Sequence, residues 1–181
     1  TQVARETKVL ELIEQLGATL IHPYENSQVM AGAGTAALEL LHAVPNLQSV
    51  IAPVGGGGLI SGTAIALDSV DVPLYGVEPE GAAETIASLV ANERITHLVP
   101  DTFCDGLRAV VGVPNFAIIQ EHVLQVLSVT DAQCEVAQTL VAEHLKMVIE
   151  PSSATVLAAV LACPDLFKGQ RVGLIVTGGN V

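Results

Sequence analysis

The chain has 181 residues and is 50% hydrophobic, with a mean hydropathy of +0.55, enough apolar material to bury a core of about one domain. Seven basic against nineteen acidic residues leave a formal charge of −12, which argues against nucleic acid or an anionic membrane surface as partner. No apolar run approaches the roughly 18 residues of a membrane span, the opening Thr1-Gln-Val-Ala-Arg-Glu has neither signal nor transit character, and the scattered Cys104, Cys134 and Cys163 read as reduced thiols of a cytoplasmic protein.

Helical and extended patterns alternate along the chain. Val9, Leu10, Ile13 and Leu16 recur at helical spacing, and Gly17 stops that helix. Ala18–His22 reads as a strand. A second helix is expected from Gly34-Thr35 to about His42, ended by Pro45, followed by a fully apolar strand over Ser49–Val54 and a helix over Gly58–Leu67. Leu74–Glu78 reads as a strand closed by Pro79, and Ala82–Val90 as a helix, before a weakly patterned stretch from Asn92 to Pro114. Leu124–Val129 is a strand. Thr130-Asp-Ala-Gln133 forms a capping box that starts a helix to about Lys146. Pro151 fits a first helical position and opens an apolar helix to Cys163; Val172–Val176 is the last strand and Thr177-Gly-Gly-Asn180 the last loop.

Short apolar strands separated by helices imply an α/β fold, a parallel sheet covered by helices on both faces. In such sheets ligands bind beyond the carboxyl ends of the strands. Three segments follow expected strands, Gly55–Gly58, Glu78–Glu84 and Thr177–Asn180, and should share one edge.

Gly55-Gly56-Gly57-Gly58-Leu59 carries the clearest chemical signal. Four consecutive glycines weaken a strand end and pack nothing, but they allow close backbone approach and leave N–H groups free to face one anion beside a helix N-terminus. This reads as a phosphate cradle; a glycine-rich turn for tight strand–helix packing is the alternative. The dinucleotide fingerprint fails, because its third glycine falls on Ile60 or Ser61, although Glu78 stands where a ribose-binding acid would sit. A nucleotide-hydrolysing loop fails too, because Thr63 stands where lysine is required.

The order of motifs His22-Pro23-Tyr24, Gly32-Ala33-Gly34-Thr35 with Glu39, Pro53 to Gly62, Tyr75 to Pro79, Asp105-Gly106-Leu107, Lys146 with Glu150-Pro151-Ser152, and Thr177 to Asn180 closely resembles the pyridoxal-phosphate enzymes of the threonine dehydratase and serine racemase family (fold type II), across essentially all 181 residues. The resemblance implies that residues 1–17 are a remnant of the small domain or crossover helix, and 18–181 the C-terminal part of the large, pyridoxal-phosphate-binding domain. It implies that Gly55, Gly56, Gly57, Gly58 and Leu59 hold the cofactor phosphate, that Gly106 lies beside the ring, that Glu150 stands near the pocket, and that the hydroxyl of Thr177 faces the pyridine nitrogen, where the family has serine. By spacing alone Thr177 is a cap or turn residue, and Glu150 an exposed acid before a helix. Glu78, the carbonyl of Ala82, and Glu84 match the family's divalent-cation site, suited to Mg²⁺ or Ca²⁺; a solvated acidic helix start is the alternative. Further departures are Glu84 for aspartate, Cys104 for alanine, Ala33 for glutamine and Ser153 for glycine.

The family chemistry needs a lysine amine. The chain has Lys8, Lys146 and Lys168, and none matches the family's Schiff-base segment, so no catalytic residue is assigned in this chain. The resemblance places that lysine before the point matched by Thr1. It implies part of a serine/threonine ammonia-lyase, acting by α-proton abstraction and β-elimination to a 2-oxo acid and ammonia, with serine racemisation a sister outcome. The chain alone is expected to be inactive, to need a missing N-terminal segment or a full-length homologue, to take a small amino-acid substrate, and to associate as a homo-oligomer. A non-catalytic phosphate-binding remnant and a dinucleotide-binding domain are the other readings.

Overall fold

The computed structural model describes residues 2–181; Thr1, the first residue of the expected 1–17 remnant, lies outside them. Helix α1 spans Gln2–Leu16 and ends at Gly17, whose φ of +62° is the left-handed conformation of a helix stop. Helix α2 (Ser27–Ala43) precedes strand β1 (Ser49–Pro53), helix α3 (Gly58–Leu67) and strand β2 (Leu74–Pro79). A 3₁₀ turn at Glu80–Ala82 leads into α4 (Glu84–Ala91). Another at Asp105–Leu107 precedes α5 (Val113–His122) and β3 (Val123–Val129). Helices α6 (Asp131–Leu140), α7 (Pro151–Ala162) and α8 (Pro164–Phe167) lead to β4 (Val172–Leu174).

All strand pairings are parallel, in the order β3-β2-β1-β4. Residues along each strand alternate between two cores, as the pleat requires. Val50, Ala52, Leu74 and Val126 join α3 and α5 side chains such as Ile60 and Ile119 on one face. Ile51, Tyr75, Val77, Leu127 and Val129 join Ala137, Val156 and Ala159 of α6 and α7 on the other. The strand order matters for the site. From β1 the chain builds outward through β2 to β3, then returns to place β4 on the opposite side of β1. A crevice therefore opens between the loops that leave β1 and β4, the position where open α/β sheets bind ligands.

Several expectations need correction. Residues 18–22 form no strand: Leu20 and Ile21 are exposed, and no neighbouring strand pairs with them. Helix α2 starts at Ser27, seven residues before Gly34, because the side chain of Asn26 accepts from the N–H groups of Gln28 and Val29. The expected helix over 82–90 is divided between the 3₁₀ turn and α4. The capping box of α6 forms with both reciprocal bonds, but the α-helix ends at Leu140 and continues as a π turn over Val141–Leu145, closed by Lys146 at φ +57°. Helix α5 starts at Val113, within the end of the weakly patterned stretch, with Pro114 in its first turn. The last strand is three residues long rather than five.

The glycines of α2 differ in role. A Cβ on Gly34 would stand 2.5 Å from the carbonyl oxygen of Gly62 on α3, whereas one on Gly32 would meet nothing within 4 Å. Gly34 thus lets the two helices touch backbone to backbone. Gly34→Ala should destabilise the protein by about 1–3 kcal/mol through overpacking, while Gly32→Ala should stabilise it by roughly 0.5–1 kcal/mol through lost unfolded-state entropy. Chemical denaturation of the two variants checks this; effects of the same sign would contradict it.

Candidate cofactor site

The loop leaving β1 carries the four glycines, and each is hemmed in by protein. A Cβ on Gly55 would lie 3.0 Å from the Gly106 carbonyl oxygen and the Leu107 Cα. One on Gly56 would enter the Tyr24 ring, and one on Gly58 would stand 2.9 Å from the Tyr24 Cβ. Gly57 combines φ +90° with a position 2.7 Å from the Asn115 Cβ. Close packing and a left-handed turn together account for the glycine run, so the tight-turn reading of this loop has a real physical basis. It does not compete with the cradle reading, because the same loop also walls a cavity. Gly57 is the N-cap of α3, and no side chain caps that helix, leaving its first-turn N–H groups without intrahelical acceptors.

That cavity measures about 320 Å³ and lies at the crevice between β1 and β4, within the range of small-molecule sites. Gly55, Gly56, Gly57, Gly58, Leu59, Gly106, Glu150 and Thr177 all line it, with Tyr24, Leu107 and Ser152 among their neighbours. The eight residues come from four separate segments. The Gly55–Leu59 loop follows β1, Thr177 follows β4, Gly106 sits in a 3₁₀ turn, and Glu150 is the N-cap of α7.

Polar contacts tie these segments together. Ser152 Oγ accepts from the Gly106 N–H at 3.0 Å. The Glu150 N–H donates to the Gly178 carbonyl at 3.0 Å, and its carboxylate accepts from the Asn180 N–H at 3.1 Å. Ser153 Oγ lies 3.2 Å from the Thr177 nitrogen and 2.7 Å from the Gly178 nitrogen. On the far side of the loop, buried Asn115 donates through Nδ2 to the Tyr24 carbonyl and to Ser61 Oγ, at 3.0 and 3.1 Å. Sequence reasoning gave no role to Asn115 or Ser152. Hydroxyls and amides in the first turns of α5 and α7 look like ordinary helix starts until the fold brings them to the loop.

Glu78 and Glu84 sit away from the cavity, at the carboxyl end of β2 and the start of α4, and both are buried. Glu78 accepts from the N–H groups of Thr85 and Ile86, each at 3.1 Å. Glu84 accepts from the Val111 N–H at 2.5 Å and the Thr85 hydroxyl at 3.2 Å. Ala82, buried in the intervening 3₁₀ turn, completes the segment. Burial, and then the facing Glu84 carboxylate, push the Glu78 carboxyl up from 4.5 to about 8; burial raises Glu84 as well. Two desolvated carboxyls that interact in this way favour sharing a proton or a cation. Among the described residues no cluster of three or more His, Cys, Asp or Glu side chains could hold a metal ion, so any cation here would depend on the two carboxylates, the Ala82 carbonyl and water.

None of the three lysines lines the cavity. Lys8 pairs with Glu11 at 2.9 Å on exposed α1, Lys146 donates to the Glu143 carbonyl, and Lys168 follows α8.

Residues 1–178 match the family described as "Pyridoxal-phosphate dependent enzyme". The chain is 46% identical over its whole length to the serine racemase of Dictyostelium discoideum, spanning 58% of that protein. It is 42% identical over 94% of its length to the L-threo-3-hydroxyaspartate ammonia-lyase of Pseudomonas sp, spanning 54% of it. The structure of maize serine racemase superposes with a TM-score of 0.92 at 36% identity, covering 98% of this chain and 58% of that one. The chain belongs to the pyridoxal-phosphate dependent enzyme family, and it spans a little over half the length of these relatives.

The carboxyl pair makes a pH prediction. A Glu78 pKa above its ordinary value means that the folded protein binds more protons than the unfolded chain between pH 4.5 and about 8. Stability is therefore fully present below 4.5 and declines as pH rises towards 8. In denaturant melts without divalent cations, stability should fall by up to a few kcal/mol across that window, and Glu78→Gln should flatten the profile. Parallel profiles for the two proteins would contradict the assignment.

Proposed function

We propose that this member of the pyridoxal-phosphate dependent enzyme family is the cofactor-holding portion of an ammonia-lyase acting on serine, threonine or a similar β-hydroxy amino acid, which loses water by β-elimination and is then hydrolysed, taking water back, to a 2-oxo acid and ammonia. The observation that carries this reading is the convergence of the glycine loop, Gly106, Glu150 and Thr177 on one cavity at the sheet's switch point. Main-chain N–H groups suit a phosphate monoester, and they do so without a cationic side chain in a protein of charge −12. Racemisation is the second reading, favoured by the 46% identity to a protein named serine racemase.

Pyridoxal phosphate, when bound, withdraws electrons from the substrate's α-carbon and so makes its proton removable. The residues of this chain grip and orient. Gly55–Leu59 would bind the phosphate at the N-terminus of α3. The Gly106 backbone, tied down by Ser152, would lie against the ring face, and the Thr177 hydroxyl would hydrogen-bond the pyridine nitrogen. A hydroxyl there, unlike a carboxylate, leaves that nitrogen mostly unprotonated. Residues 1–17 would belong to the small domain or crossover helix, and 18–181 to the large domain.

Among the described residues, no lysine lines the cavity. Turnover would need an amine from outside the described residues, supplied by an N-terminal segment of the same protein or by a full-length homologue. Exposed Leu10, Leu16, Leu20 and Ile21 provide apolar surface for such an association or for a homo-oligomer. Glu78, Glu84 and the Ala82 carbonyl would hold Mg²⁺ or Ca²⁺, with Glu84 one methylene longer than the usual aspartate.

Borohydride reduction tests the reading. The 181-residue chain should bind pyridoxal phosphate yet give no reduced lysyl adduct and no 2-oxo acid; adding the N-terminal segment of a relative should yield both. An adduct on Lys8, Lys146 or Lys168, or tight binding of NAD with none of pyridoxal phosphate, would overturn it. Millimolar Mg²⁺ or Ca²⁺ should raise the melting temperature of the wild-type chain by a few degrees and leave Glu84→Gln unmoved. Equal gains in both would remove the cation assignment.

A further inference from the structure

The loop after β4 is held mainly by the start of α7, with one further bond from Asn180 Nδ2 to Asp105 Oδ2 of the 3₁₀ turn at 3.5 Å. Parallel pairing with β1 covers only Val172–Leu174, and beyond it the Ile175 N–H donates to the Ile51 carbonyl. Thr177, exposed and facing the cavity, lies past that support. The first turn of α7 takes over. Ser153, fully buried, places its hydroxyl 3.2 Å from the Thr177 nitrogen, 2.7 Å from the Gly178 nitrogen and 3.2 Å from the Gly178 carbonyl oxygen. One hydroxyl thus accepts from two successive N–H groups and donates to a carbonyl of the same loop. Glu150 adds bonds to Gly178 and Asn180, but Ser153 is the side chain bonded to residue 177 itself.

The sequence makes this contact unusual. The resemblance expects glycine at 153 and serine at 177; here the two departures from the family pattern meet. They fit physically. A serine can adjust its χ1 to aim its hydroxyl, whereas a β-branched threonine has few open rotamers, so the direction of its hydroxyl follows the backbone beneath it. Fixing the backbone at Thr177 and Gly178 then fixes where the hydroxyl points.

We infer that Ser153 is a positioning residue that holds the Thr177 hydroxyl on the ring nitrogen of pyridoxal phosphate. This rests on the cofactor reading proposed above. Ser153 does not touch the cofactor in this account; it acts by locking the loop that carries Thr177.

Equilibrium binding of pyridoxal phosphate and of its 1-deaza analogue, in which CH replaces the ring nitrogen, separates positioning from mere support. The wild-type chain should prefer pyridoxal phosphate by about fivefold, the value of one hydrogen bond to a neutral acceptor. Ser153→Ala should reduce that preference to within about twofold while keeping the affinity for the analogue. Thr177→Val should do the same without altering α7, and the double variant should lose nothing further. If Ser153→Ala weakened both ligands equally and kept the preference, Ser153 would be a structural residue only and the inference would fall. Binding of both ligands by the wild type without preference would instead remove the Thr177 contact, and with it this inference, while leaving the phosphate cradle standing. Failure of the wild type to bind either ligand would defeat the cofactor reading itself.

Discussion

The structure turns on a main chain with no room for side chains. At Gly55–Gly58 the backbone passes between Tyr24, Asn115 and the turn at Gly106-Leu107, and a Cβ at any of the four positions would stand 3.0 Å or less from a neighbouring atom. Such approach is possible only for glycine, and it has two results. It locks together segments distant in sequence: the approach to α2, the first turn of α5 and the 3₁₀ turn before it. It also brings an uncapped helix N-terminus to a cavity wall. Close packing and a place on the cavity wall are two consequences of one requirement, which is why the structural and the proposed functional reading of the glycine run do not exclude each other.

Topology decides what that loop can meet. Because β4 returns to the free side of β1, the loops after these two strands flank one crevice, and α7, arriving from the other face of the sheet, brings Glu150, Ser152 and Ser153 to its rim. The first turn of α7 acts as a clasp: Ser152 holds Gly106, Ser153 holds Thr177 and Gly178, and Glu150 holds Gly178 and Asn180. On the proposed reading, a protein with nineteen acidic residues would receive an anion here through the main-chain amides and dipole at the start of α3, with no cationic side chain among the residues that line the cavity. The buried Glu78–Glu84 pair stands outside this arrangement. It ties β2 to α4 and α4 to the segment at Val111.

Much of this was legible from residues alone. The apolar runs of β1, β2 and β3 and the helix over Gly58–Leu67 stand where their patterns put them, and the Thr130–Gln133 capping box forms as its spacing requires. Residues 18–22 misled because a short apolar run reports a preference for extended backbone, whereas a strand also needs a partner, and among the described residues no strand pairs with Leu20 and Ile21. The start of α2 was masked by Gly32 and Gly34, which look like a helix boundary. The decisive signal was Asn26, whose side chain caps the first turn. Helix α5 was hidden by Pro114, a helix breaker in the interior but well tolerated in a first turn. For the site, the glycine loop announced itself. Ser152, Ser153 and Asn115 did not, because a buried hydroxyl or amide acquires its role only from what the fold sets opposite it.

The most direct test of the cradle is to follow the backbone amide resonances of Gly55, Gly56, Gly57, Gly58 and Leu59 by NMR while titrating pyridoxal phosphate, with phosphate-free pyridoxal and NAD in parallel. The account predicts saturable shifts at these five amides with pyridoxal phosphate and none with the other two. Silence at the five with pyridoxal phosphate, or shifts there with NAD instead, would contradict it.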